Sequence, residues 1–192
     1  MDYFSINRSV KPERGDLLIS EPFLPDPNFE RSVIYLCEHD ENGTFGFVLN
    51  KMSILTVEEV VEHVGEFKQM LHVGGPVQQD TMHFLHRSYD LMQSGKEILN
   101  GVYWGGSFDQ LLSIIENRII NPGDFKFFLG YSGWSEGQLD DELEANSWVV
   151  CKGASTTQVF DTDPDTLWRD ILKDMGGRYR MFSNYPTDPR LN

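Results

Sequence analysis

Ser32-Val33-Ile34-Tyr35-Leu36-Cys37-Glu38-His39-Asp40-Glu41-Asn42-Gly43-Thr44-Phe45-Gly46-Phe47-Val48-Leu49-Asn50 is the stretch that decides the fold class. Two runs rich in β-branched and aromatic side chains, Ser32 to Glu38 and Thr44 to Asn50, flank Asp40-Glu41-Asn42-Gly43. Asn-Gly supplies the positive-φ positions of a tight turn, so the stretch predicts a β-hairpin. Hairpins join antiparallel strands, which argues against an all-parallel sheet.

Upstream, Leu17-Leu18-Ile19 reads as a short strand, and Pro22, Pro25 and Pro27 then impose an extended, irregular path. Downstream, strand-like runs occur at Leu71 to Val73, Met82 to His86, Gly101 to Trp104, Phe125 to Gly130, Ser147 to Cys151 and Gln158 to Phe160. Helix signals lie between them. Thr56-x-x-Glu59 is a capping box with Leu55 and Val60 as its staple and Gly65 as its stop. Ser107-x-x-Gln110 opens a face of Phe108, Leu111, Leu112 and Ile115, and Asn121-Pro122-Gly123 ends it. Ser135-x-x-Gln138 is a third box, with Leu139 and Leu143 one turn apart. Asp163-Pro164 opens a last helix striped by Leu167, Trp168, Ile171, Leu172 and Met175, which Gly176-Gly177 stops. About nine short strands with four helices among them predict an α+β domain with a mixed sheet. The first dozen residues and the tail from about Ser183 lack a periodic apolar pattern and are expected to fray.

The 192 residues suit one domain, residues 1–192, with an ordered core from about 15 to 182. At that length roughly 70% of the unfolded surface can be buried. Sixteen Lys and Arg against thirty Asp and Glu leave a net charge of −14. That excess repels polyanions, so direct nucleic-acid binding is not expected. No apolar run approaches the ~18–20 residues of a membrane span, and the N-terminus has no apolar signal core. Two cysteines, Cys37 and Cys151, both in strand-like runs, read as reduced thiols in a cytoplasmic protein.

No phosphate-binding loop, dinucleotide fingerprint, Cys-x-x-Cys or His-Glu-x-x-His occurs, and no cofactor or metal is expected. Gly130-Tyr131-Ser132-Gly133-Trp134 approaches a nucleophile elbow but has Trp134 where the fifth position requires Gly. His83 and His86, three apart on a strand, point to opposite faces and make a poor chelate. His39 and His86 read first as structural histidines. Val73-Gly74-Gly75-Pro76-Val77 reads first as a tight turn or close backbone packing, and second as a pair of N–H groups for an anion. Glu136, Asp140, Asp141, Glu142 and Glu144 form an acidic run without a base, which suits a solvated helix face or a basic partner.

These motifs together resemble the AlgH/YqgE family. The resemblance rests on Gly15-Asp16-Leu17-Leu18-Ile19-Ser20, on Asp26 through His39, and on Asn42-Gly43-x-x-Gly46-x-Val48-x-Asn50-Lys51. Val73 to Val77, Phe84-Leu85-His86, Gly130 to Trp134 and Gly137-Gln138-Leu139-x-x-Glu142-Leu143 complete it, in order and spacing. It implies a compact α/β protein with a branched, partly barrel-like sheet and surrounding helices. It implies no secure reaction; one branch was named as a regulator of alginate synthesis. Two departures stand out: Ser135 where relatives usually have Gly, and Glu21 where many have an apolar residue.

Two functions follow as expectations. One is a non-enzymatic regulatory or binding protein, affecting transcription indirectly through a basic protein partner or a small molecule. The other is a small-molecule hydrolase with a His/Gly-Gly pocket drawn from His39, Asn50, Gly74, Gly75, His86, Ser132 and Trp134. Its chemistry would need those residues to converge on one concavity.

Overall fold

A computed structural model describes residues 10–187 of the chain. Its strands are β1 (Leu17–Ser20), β2 (Val33–Asp40), β3 (Gly43–Val48), β4 (Met52–Thr56), β5 (Met70–Val73), β6 (Val77–His86), β7 (Lys96–Leu99), β8 (Val102–Trp104), β9 (Phe125–Ser135) and β10 (Trp148–Cys151). Its helices are α1 (Val57–Val60), α2 (Tyr89–Met92), α3 (Phe108–Glu116), α4 (Gln138–Glu144), α5 (Thr156–Phe160), α6 (Leu167–Met175) and α7 (Gly177–Phe182). The main path of the sheet runs β10-β1-β2-β3-β9-β6-β8-β7, with each of these pairs antiparallel. The sheet branches at β9, whose C-terminal half pairs with β3 while Phe128 and Leu129 pair in parallel with β5, which in turn carries β4. This is the branched sheet with flanking helices that the resemblance implies.

The hairpin forms, but its turn is not the Asn-Gly turn expected. Asp40 pairs with Gly43, so Glu41 and Asn42 are the connecting residues, and Asn42 is not among the positive-φ residues. The Asp40 side chain accepts the Asn42 N–H at 2.8 Å, closing a local turn that tolerates ordinary backbone angles. β1 and β2 are buried on both faces, which is why their sequences run almost continuously apolar. Leu17, Ile19, Val33 and Tyr35 face a core shared with α5 and α6. Leu18, Ile34 and Leu36 face the opposite way, toward Trp134, Leu139 and Trp148. A third cluster packs Leu111, Ile114 and Ile115 of α3 against Phe84, Phe125 and Phe127.

Several expected elements differ. Gln158 to Phe160 lies in α5 rather than a strand, because Ser155 and Gln158 form a reciprocal capping box. α1 ends after one turn, well before Gly65. The first turn of α3 exposes Phe108, and Ile114 takes its place in the buried stripe. Asp163-Pro164 forms a turn ahead of α6; Gly176, at φ +69°, does stop α6, but a further helix, α7, starts at Gly177. Ser135 ends β9 rather than capping α4. Gly137, in the left-handed region, occupies the cap position, and the Gln138 side chain reaches back to the Ser135 N–H and hydroxyl. Of the tail from about Ser183, the segment 183–185 is docked: Ser183 is buried, Tyr185 stacks on Phe23, and Arg31 donates to the Tyr185 carbonyl at 2.7 Å, while residues 188–192 lie outside the described residues. Part of the expected N-terminal frayed segment, residues 1–9, lies outside the described residues. Both cysteines are free thiols, Cys37 fully buried and Cys151 half-buried.

Candidate functional site

The turn end of β2–β3 stands over β6, β8 and β9, and an open groove of about 780 Å³ lies between them. Strand alternation sends Phe45, Trp104 and Tyr131 into it. The Phe45 ring centroid is 4.7 Å from Trp104 and 6.1 Å from Tyr131, both in edge contact. His83 of β6 closes the apolar wall 6.0 Å from Tyr131. Its Nε2 is buried without a hydrogen-bond partner, and burial lowers its pKa, so the ring is neutral. The rim carries Glu38 and Asp40, two residues apart on β2. Glu38 pairs with Lys96, whereas Asp40 joins no ion pair among the described residues. Among the described residues, neither Arg nor Lys lines this groove.

The seven residues singled out from sequence do not converge here. Trp134 lines the groove's edge. His39 sits beside it, with Nδ1 2.7 Å from the hydroxyl of Thr44 across the hairpin. The others serve the framework. Asn50 accepts the Val33 N–H and donates to the Arg31 carbonyl, both at 2.8 Å, closing the start of β2. The Gly74 N–H donates to Leu129 at 2.8 Å, and its carbonyl accepts from the Val48 N–H and the Ser132 hydroxyl. A Cβ at Gly74 would overlap the Gly130 carbonyl, and one at Gly75 would overlap that of Tyr131. The Gly-Gly pair therefore lets β5 and its exit pass against β9. His86 is fully buried, its ring stacked between Tyr103 and Phe125, with Nε2 3.1 Å from the carbonyls of Ser94 and Gly105. Those two acceptors make Nε2 the protonated nitrogen. His86 pairs with Tyr103 and Phe125, about 10 Å along β6 from the groove-lining His83, and it is the opposite face of the strand that keeps it out of the groove. His83 and His86 do occupy opposite faces.

Sequence reading missed the groove's main walls. Phe45 and Trp104 each sit in a strand run, where an aromatic residue reads as core, and Tyr131 falls just past the Phe125 to Gly130 run, which the structure extends to Ser135. Their meeting depends on β8 and β3 reaching the same side through β6 and β9.

Two further polar arrangements are inward-facing. One carboxylate oxygen of Glu142 accepts both indole N–H groups, from Trp134 at 2.9 Å and Trp148 at 2.7 Å, while the other accepts from Gln138. Lys126 of β9 is buried, with Nζ 3.5 Å from the Leu49 carbonyl, and burial brings its pKa down to about 8. His72, also buried, is brought down to about 3 by burial and by the Lys126 charge.

The AlgH-like family model matches residues 17–180. The chain belongs to the AlgH-like family. A UPF0301 protein of Cytophaga hutchinsonii is 45% identical over 180 residues, covering 93% of this chain and 98% of that one. One from Chlorobaculum parvum is 42% identical, covering 93% and 95%. The solution structure of the AlgH protein from Pseudomonas aeruginosa is similar at a TM-score of 0.69 and 31% identity, covering 92% of this chain and 98% of that one. A crystal structure from Corynebacterium diphtheriae shares the fold at a TM-score of 0.73 and 24% identity, covering 92% and 94%. Within the matched span, Asn50, Gly74, His86, Ser132 and Glu142 each hold strand to strand or helix to sheet through these hydrogen bonds. No helix among the described residues is long and apolar enough to cross a membrane.

Proposed function

We propose that this AlgH-like chain is a non-enzymatic binding protein of the cytoplasm, and that any effect it has on transcription runs through a protein partner. The observation that carries this reading is the groove: aromatic walls, an acidic rim and, among the described residues, no lining cation. Such a concavity offers apolar contact area and a charge preference. The groups a hydrolase would need are committed elsewhere: the Ser132 hydroxyl to Gly74, the Gly74 N–H to Leu129, and the His86 Nε2–H to two carbonyls. The net charge of −14 disfavours a phosphate backbone.

Cross-linked co-purification from cell extract tests the reading, comparing the native chain with Asp40→Lys, a charge reversal at an exposed rim position. A protein recovered by the native chain and lost with Asp40→Lys is the expected outcome. In parallel, the pure chain should give no tight, sequence-selective gel shift at moderate salt. Such a shift, or ester or phosphoester turnover abolished by Ser132→Ala, overturns it.

A further inference from the structure

The groove is selective in charge as well as in shape. Resting on the binding reading above, we infer that it receives an arginine side chain carried on an extended segment of a basic protein partner. Three features of the groove lead to a guanidinium. First, Phe45, Trp104 and Tyr131 present ring surface in one concavity, and a planar, weakly hydrated cation stacks on such surfaces at little desolvation cost. Second, Glu38 and Asp40 stand at alternate positions of β2, so both carboxylates face the same side. Glu38 is engaged by Lys96 and Asp40 Oδ1 accepts the Asn42 N–H, which leaves Asp40 Oδ2 as the rim acceptor for a charged N–H. Third, burial favours the neutral form of His83, and among the described residues no Lys or Arg lines the wall; the cation at the rim, Lys96, is paired with Glu38.

The volume, about 780 Å³, exceeds one side chain, so the flanking residues of the segment have room beside it. Lysine fits less well. Its ammonium is compact and strongly hydrated, and it cannot lie flat on an indole. The acidic surface of the whole chain would draw a basic segment toward the groove before contact.

The test titrates the full chain, ¹⁵N-labelled at tryptophan, with three blocked pentapeptides that differ only at two positions: arginine, lysine or citrulline. The arginine peptide is expected to move the indole resonance of Trp104, with the lysine peptide several-fold weaker and the citrulline peptide about ten-fold weaker. Asp40→Asn keeps the acceptor for the Asn42 N–H, so the turn is retained, and should weaken the arginine peptide about three-fold or more. Equal affinity for arginine and citrulline overturns the charge assignment while leaving the groove a binding site. If none of the peptides moves Trp104, the arginine inference is overturned. The binding reading falls as well only if co-purification also yields no partner sensitive to Asp40→Lys.

Discussion

Glu142 holds two indole rings with one carboxylate oxygen, and both rings are nearly inaccessible to solvent. Phe29 stacks on Trp134 and meets Trp148 edge-on, so the carboxylate anchors an aromatic cluster rather than a surface. Glu142→Ala would leave both N–H groups buried and unpaired. The expected loss is about 2–4 kcal/mol, read as a lower denaturant midpoint by tryptophan fluorescence. Lys126 is the opposite case, a buried charge with one long hydrogen bond. Its pKa of about 8 lies below the ordinary 10.5. Between those values the unfolded chain binds the extra proton, so stability rises as pH climbs from about 8 to 10.5, and the full cost applies below 8. Lys126→Met should therefore stabilise the protein at pH 7 by about 1–3 kcal/mol and remove that rise; urea unfolding at pH 7 and pH 10 measures both.

At the scale of elements, β9 organises the sheet. It takes β6 along one side and both β3 and β5 on the other, and the three backbones crowd where Gly75 passes Tyr131. Gly130 has φ +67°, and a Cβ there would lie 2.7 Å from the carbonyl oxygens of Gly75 and Val77. A side chain on either glycine must push two strands apart. Gly75→Ala is expected to cost about 3 kcal/mol or more and to cut soluble yield, with thermal unfolding as the measurement. The C-terminal helices are held differently. The Arg31 guanidinium lies 4.8 Å from the Trp168 ring centroid and donates to the Tyr185 and Pro186 carbonyls, while the Trp168 indole donates to Ser20. One side chain thus ties the irregular segment before β2 to α6 and to the chain beyond α7.

At the scale of the molecule, three histidines are held neutral by burial. His72 is lowered to about 3, and His83 and His86 are lowered as well. For each, stability is complete above the ordinary value of 6.5 and is lost as pH falls through the window below it, because the unfolded chain takes up protons that the folded chain refuses. The Asp124 and Asp161 carboxylates, kept low by Arg87, add their own loss only at more acid pH. Melting temperature should therefore fall between pH 6.5 and pH 4.5 from the histidines alone, and His72→Leu should flatten part of that fall. A melting curve unchanged across this interval would refute the neutral assignment.

Local signals determined much of this protein. Alternation and near-continuous apolar runs marked β1, β2, β3 and β9, the Ser107 cap marked α3, and the order of short motifs carried the family. The low Lys and Arg content set the sign of the surface. Signals read from a few neighbouring residues succeeded where the structure itself is local, and misled where two local devices compete, as with Gln158 in a helix cap and Ser135 at a strand end. Tertiary structure alone decided the groove. Phe45, Trp104, Tyr131 and His83 come from four strands, β3, β9, β6 and β8, that are successive neighbours in the sheet but far apart in the chain. It also decided that the motif glycines, Ser132 and His86 spend their polar groups inside the framework. Hydrogen-bond partners distant in the chain, such as Gly74 and Ser132, leave no periodicity for a linear reading to find.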